Sequence, residues 1–164
     1  MGVEIERKFL INSTEWRKRV SKATELKQGY LNSHSERTVR IRTNGEIGKI
    51  TIKGKTEGFT RKEYEYEIPV QDAEDLLKLC EEPIIEKIRH IVVHKNKTWE
   101  VDEFDGLNQG LVVAEIELEN ENEIVELPDW IGEEVTDEPR YYNSNLASKP
   151  YSEWSREKWF MFYL

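Results

Sequence analysis

Residues 3–11 read Val3-Glu4-Ile5-Glu6-Arg7-Lys8-Phe9-Leu10-Ile11, and the fold turns on how this stretch alternates. Side chains of an extended strand point alternately to its two faces. Val3, Ile5, Phe9 and Ile11 therefore share one face and Glu4, Glu6 and Lys8 the other, with Arg7 an exception on the apolar side. An ordinary half-buried strand with its charged face in water gives the same pattern. The later strands decide between that reading and a different one.

Those strands repeat the alternation, and each carries charge of one sign. Arg40 and Arg42 alternate with Val39 and Ile41, and Lys49 and Lys53 with Ile50 and Ile52. Glu63, Glu65 and Glu67 fall on one face; so do Lys87 and Arg89, Glu100 and Asp102, and Glu115 and Glu117. Like charges at neighbouring places on one face repel, so a solvated face normally mixes signs. Single-sign rows make sense when something neutralises them. Carboxylates from several strands suit a hard divalent cation such as Mg²⁺. Rows of Arg and Lys suit phosphate oxygens, Arg through its fork and Lys as a point charge.

The punctuation of the chain supports about eight strands joined mostly by hairpins. Asn12-Ser13-Thr14-Glu15 resembles a capping box, which predicts a short helix through about residue 22 with Trp16 and Val20 on one side. Strands are predicted over residues 28–32, 37–43, 49–53, 61–68, 85–94, 98–104 and 111–118. Asn44-Gly45 is a hairpin signal. A second helix is predicted over 73–80, with Leu76, Leu77 and Cys80 as its apolar side. Asp129-Trp130 and Asp137-Glu138-Pro139 mark loops between short segments, and Trp154, Trp159, Phe160 and Phe162 an aromatic helix or strand packing on the body. An antiparallel sheet of eight strands tends to close on itself. The fold class is therefore α+β: an eight-stranded antiparallel β-barrel with short helices outside and a helical C-terminal segment, its charged rows lining either a lumen or a charged outer surface.

Composition narrows the function. Residues 1–164 fit a single domain with a sizeable core. Charged residues make up 35% of the chain, against about a quarter in an ordinary globular protein. The net charge of −9 argues against nucleic-acid or anionic-membrane binding, though not against a basic pocket for a small polyanion. The single cysteine, Cys80, lies in an apolar pattern and reads as an inert buried thiol. The absence of an apolar run of membrane-spanning length, and of a signal peptide, predicts a cytoplasmic protein. His34, His90 and His94 read as surface or packing residues.

The motifs together resemble the CYTH superfamily, the triphosphate tunnel metalloenzymes. The resemblance is carried by Glu4-Ile5-Glu6-Arg7-Lys8, Arg40-Ile41-Arg42, Thr51-Ile52-Lys53-Gly54, Glu65-Tyr66-Glu67-Ile68-Pro69, Lys87-Ile88-Arg89, Trp99-Glu100-Val101-Asp102 and Ala114-Glu115-Ile116-Glu117-Leu118, and it runs on through Pro139-Arg140-Tyr141-Tyr142-Asn143. It implies a tunnel that binds a triphosphate, Mg²⁺ or Mn²⁺, and hydrolysis of a phosphoanhydride. It further implies Glu4, Glu6, Glu115 and Glu117 as metal ligands. Glu65, Glu67 and Asp102 would serve a second metal or the water, with Lys87 also catalytic. Phosphate contacts would come from Lys8, Arg40, Arg42, Lys53, Lys87 and Arg89, and a hydrogen bond from Tyr30. Within such a tunnel the alternatives are a class IV adenylate cyclase, a thiamine triphosphatase and a non-catalytic polyphosphate or nucleotide binder. The protein is expected as a monomer or homodimer.

Overall fold

A computed structural model describes residues 2–154. Nine strands form one antiparallel sheet: β1 (Gly2–Ile11), β2 (Val20–Asn32), β3 (Arg37–Thr43), β4 (Gly48–Gly54), β5 (Thr60–Ile68), β6 (Ile85–His94), β7 (Lys97–Phe104), β8 (Val112–Glu117) and β9 (Ile131–Glu134). Their order is β5-β4-β3-β2-β6-β7-β8-β1-β9, and a β5–β1 pairing closes the first eight into a ring. β1 is the closing strand. It pairs with β8 over Glu6–Leu10, with β5 over Gly2–Ile5, and with β9 at Phe9 and Ile11.

Two expectations are corrected here. The predicted helix running to about residue 22 is a 3-10 stretch, Glu15–Arg19, whose N-cap Thr14 makes no side-chain cap bond. From Val20 the backbone pairs with β6, Val20 opposite Val92 through Gln28 opposite Ile85, so β2 is 13 residues long. Ladder hydrogen bonds to a long partner outweigh a short helix without a cap. The region after Asp129 yields a ninth strand as well as loops. The helix expected over 73–80 is α1, Val70–Leu77, which starts directly behind Pro69.

The apolar faces point outward and are covered from outside. On one flank Phe9, Trp16, Trp99, Val101, Ile116 and Trp130 form a cluster, with Trp99 edge-on to Phe9 at 5.6 Å and to Trp130 at 5.9 Å. Burying each indole contributes on the order of 4 kcal/mol of transfer free energy before entropy is counted. On the other flank Ala73 and Leu77 of α1, with Cys80, pack on Ile41. That helix approaches so closely that a Cβ on Gly48 would lie 2.6 Å from the Ala73 Cβ. Cys80 is buried, and burial followed by Glu81 pushes its thiol up to about 11, as expected of an inert cysteine.

A third cluster closes one end of the ring. α2 (Asn143–Ser148) and the helical turn 151–154 bring Leu146, Tyr141 and Trp154 against Tyr30, Phe104 and Val113. Trp154 thus packs as expected; Trp159, Phe160 and Phe162 lie outside the described residues. Among the described residues no helix is long and apolar enough to cross a membrane.

Candidate functional site

The charged alternation places its side chains inside the ring, where ladder register sets the neighbours. Lys8 faces Glu115, Glu6 faces Glu117, Arg89 faces Asp102, Arg42 faces Lys49 and Lys49 faces Glu67. Eight of the nominated residues line one cavity of about 50 Å³. They are the acids Glu6 and Glu115, the cations Lys8, Arg40, Lys53, Lys87 and Arg89, and Tyr30. Glu4 lies beside it in an adjoining small cavity. Arg42 lines a separate cavity with Lys49.

Most of these charges are paired. Lys8 Nζ lies 2.9 Å from Glu115 Oε1, and Lys53 Nζ donates to both oxygens of Glu4 at 2.9 Å. Asp102 is fully buried and accepts from Lys87 at 2.8 Å and from Arg89 at 2.8 and 2.9 Å. Arg89 also reaches Glu100 at 3.0 Å. Burial opposes ionisation of Asp102, yet Arg89 and Lys87 hold it well below the usual carboxylate range. In this geometry Asp102 positions two cations and does not line the cavity. Glu65 sits 3.0 Å from Lys49 and 4.0 Å from Arg40, and Glu67 is exposed.

The balance of burial and charge differs along the lumen. Burial works against Glu115, but Lys8 in front of it brings the carboxyl down to about 2. Burial, then Glu115 and Glu4, raise Glu6 to about 8. Burial lowers Lys87 to about 7, outweighing the attraction of Asp102 and Glu115, and Arg89 and Arg42 push in the same direction as burial. Burial followed by Arg40 and Arg89 lowers Arg42 to about 10. These cations crowd one another and would gain from an anion between them.

Glu6 and Glu117 stand opposite each other without a basic partner among the described residues, Glu6 inside and Glu117 exposed. Directly opposed like charges are unfavourable. All four nominated acids offer the hard oxygen donors that divalent cations take. Among the described residues no three acidic, His or Cys side chains already converge as a ligand cluster, because Glu4 and Glu115 are turned to lysines.

Several lumen residues escaped the sequence reading. Asn143, at the start of α2, accepts at one Oδ1 from Lys87 (2.8 Å) and from Gln28 (3.0 Å). Tyr142 stacks its ring 5.6 Å from the Lys8 ammonium. Arg61 and Thr38 also line the cavity. Asn143 and Tyr142 belong to a quoted motif, but nothing local says that the segment folds back over the ring. The histidines lie elsewhere: His90 packs on Trp16 at 4.9 Å, outside, and neither His34 nor His94 lines the cavity.

The CYTH-domain family model matches residues 2–150. An inorganic triphosphatase of Acetivibrio thermocellus is 49% identical over 152 residues, covering 92% of this chain and 97% of that protein. An inorganic triphosphatase of Nitrosomonas europaea is 34% identical over 148 residues, covering 88% and 96%. The crystal structure of an inorganic triphosphatase superposes with a TM-score of 0.62 at 33% identity, covering 88% of this chain and 97% of the other.

Proposed function

Because the chain belongs to the CYTH-domain family, we propose that it hydrolyses inorganic triphosphate inside the ring with the help of Mg²⁺ or Mn²⁺. One observation carries this reading: cations from β1, β3, β4 and β6 converge on a cavity that also holds the Glu6 carboxyl group, which makes no ion pair among the described residues.

Phosphoryl transfer depends on positioning and on charge stabilisation more than on covalent help. Lys8, Arg40, Lys53, Lys87 and Arg89 clamp the nonbridging oxygens and offset the charge that spreads over them in the transition state. Arg42 extends the clamp along β3, and the Tyr30 hydroxyl adds a hydrogen bond. Asp102 keeps Lys87 and Arg89 aimed by holding both from behind. Glu4, Glu6, Glu115 and Glu117 have the donor chemistry for the cation. When bound, it neutralises phosphate charge and acidifies a water. Glu65 and Glu67, on β5, remain the acids assigned to orient that water.

A phosphate-release panel over tripolyphosphate, ATP and thiamine triphosphate, with Mg²⁺, Mn²⁺ or a chelator, tests the reading. Metal-dependent release from tripolyphosphate is expected. Cyclic AMP from ATP would point to a cyclase, and binding without turnover under every metal would leave a binding module.

A further inference from the structure

Arg61 of β5 faces Glu4 in the β1–β5 ladder, yet both Glu4 oxygens are taken by Lys53. The Arg61 guanidinium has no ion-pair partner among the described residues. Its Nη2 donates to Thr38 Oγ1 at 3.2 Å, and its Nε is buried without a hydrogen-bond partner among the described residues. A guanidinium cannot shed its proton to relieve this, so an anion from outside the chain is the natural complement.

The position of Arg61 indicates where that anion sits. Arg61 borders the lumen cavity and also a larger one of about 290 Å³ beyond it. The outer cavity is lined by the hydroxyls of Ser33, Ser35, Thr56 and Ser144 and by Lys55, with Asp137 also on its wall. Hydroxyls, an ammonium and a guanidinium fork are donors for phosphate oxygens. Among the described residues Tyr142 is the one aromatic ring in this lining, with no second ring there to sandwich a base.

We propose that Arg61 is a phosphate-binding residue at the threshold of the tunnel, and that the outer cavity is a vestibule receiving one end of an unsubstituted phosphate chain. This rests on the reading of the lumen as a triphosphate site.

The test is calorimetric titration of inorganic tripolyphosphate in a chelator, alongside the KM for phosphate release with Mg²⁺. Arg61→Ala is expected to weaken binding and raise KM about tenfold and to flatten the dependence of binding on salt, because one cation leaves the clamp. Arg61→Lys is expected to recover part of the affinity. Ser35→Trp, at an exposed position, fills the vestibule while leaving the lumen cations in place, and is expected to raise KM. Wild-type affinity in Arg61→Ala overturns the role of Arg61, and wild-type KM in Ser35→Trp overturns the vestibule. A wild-type chain that binds tripolyphosphate in an Arg61-dependent way but releases no phosphate refutes the proposed hydrolysis and leaves this inference standing.

Discussion

Lys8 and Glu115 stand directly opposite each other on β1 and β8, and their side chains meet at 2.9 Å almost out of solvent. A cation proposed for phosphate and a carboxylate proposed for metal thus neutralise each other. On the proposed reading, a phosphate at Lys8 and a cation at Glu115 would each replace the counter-charge that the other residue now supplies.

Removing one partner exposes that arrangement. Lys8→Ala leaves Glu115 buried without its counter-charge and is expected to cost about 3–5 kcal/mol. Replacing both, as Lys8→Met with Glu115→Leu, is expected to cost much less. Urea unfolding of Lys8→Met, of Glu115→Leu and of the double variant checks this, and simple additivity would show that the pair does not interact.

Glu6 makes no ion pair among the described residues, since Lys8 and Lys53 are taken by Glu115 and Glu4, so Glu6→Gln breaks no salt bridge. Phosphate release is expected to fall about 100-fold, the usual scale for disturbing a metal site, while the thermal midpoint stays level or rises. Full activity in this variant at ordinary Mg²⁺ would remove Glu6 from the site.

Asn143 ties the C-terminal segment to the site through Lys87. Losing a hydrogen bond to a charged group costs about 1.5–3 kcal/mol, so Asn143→Ala is expected to lower kcat/KM by about 10–100-fold. An unchanged kcat/KM would show that α2 merely caps the ring.

Gly48 is needed for helix packing. A Cβ there would meet Ala73 Cβ at 2.6 Å and the Ile68 carbonyl oxygen at 3.1 Å. Gly48→Ala is expected to destabilise the fold by about 1–3 kcal/mol as α1 moves off the sheet. Chemical denaturation measures it, and Gly54→Ala, whose nearest neighbour is 3.6 Å away, serves as the control.

Glu103 gives a pH dependence away from the lumen. Hydrogen bonds from Arg17, at 2.7 and 3.3 Å, lower its carboxyl against burial, with His90 helping. Its pKa is thus lower folded than unfolded, so the unfolded chain takes up the proton first. The stabilisation is full above the ordinary glutamate value of about 4.3 and disappears as pH falls through the folded value. The difference in unfolding free energy between wild type and Glu103→Gln is expected to be largest at neutral pH and to shrink in acid. A pH-independent difference would contradict the ion pair.

The sequence carried much of this because a strand's alternation is local. Glu4, Glu6, Lys8, Arg40, Lys53, Lys87, Arg89 and Glu115 were legible as sharing the charged faces of their strands, and as inward-facing once the family resemblance was added, and Asn44-Gly45 as a turn, where Gly45 has φ +93°. Arg7 was not legible. Its partner Glu134, at 2.7 and 3.0 Å, sits on β9, 127 residues away, and that four-residue strand has no periodicity to announce it. Arg61 was hidden between Thr60 and Lys62 in a stretch that showed no single-sign row until Glu63.

The amino-acid order therefore settled which face of each strand is charged, because side-chain direction depends only on a residue's parity along its own strand. It could not settle which charges meet. The choice of Lys53 for Glu4, the two cations gathered on Asp102, the isolation of Glu6 and Arg61, and the return of Asn143 to Lys87 all depend on how the strands are staggered when β1 closes the ring against β5 and β8. That stagger is a property of the closed sheet as a whole, and no single strand encodes it.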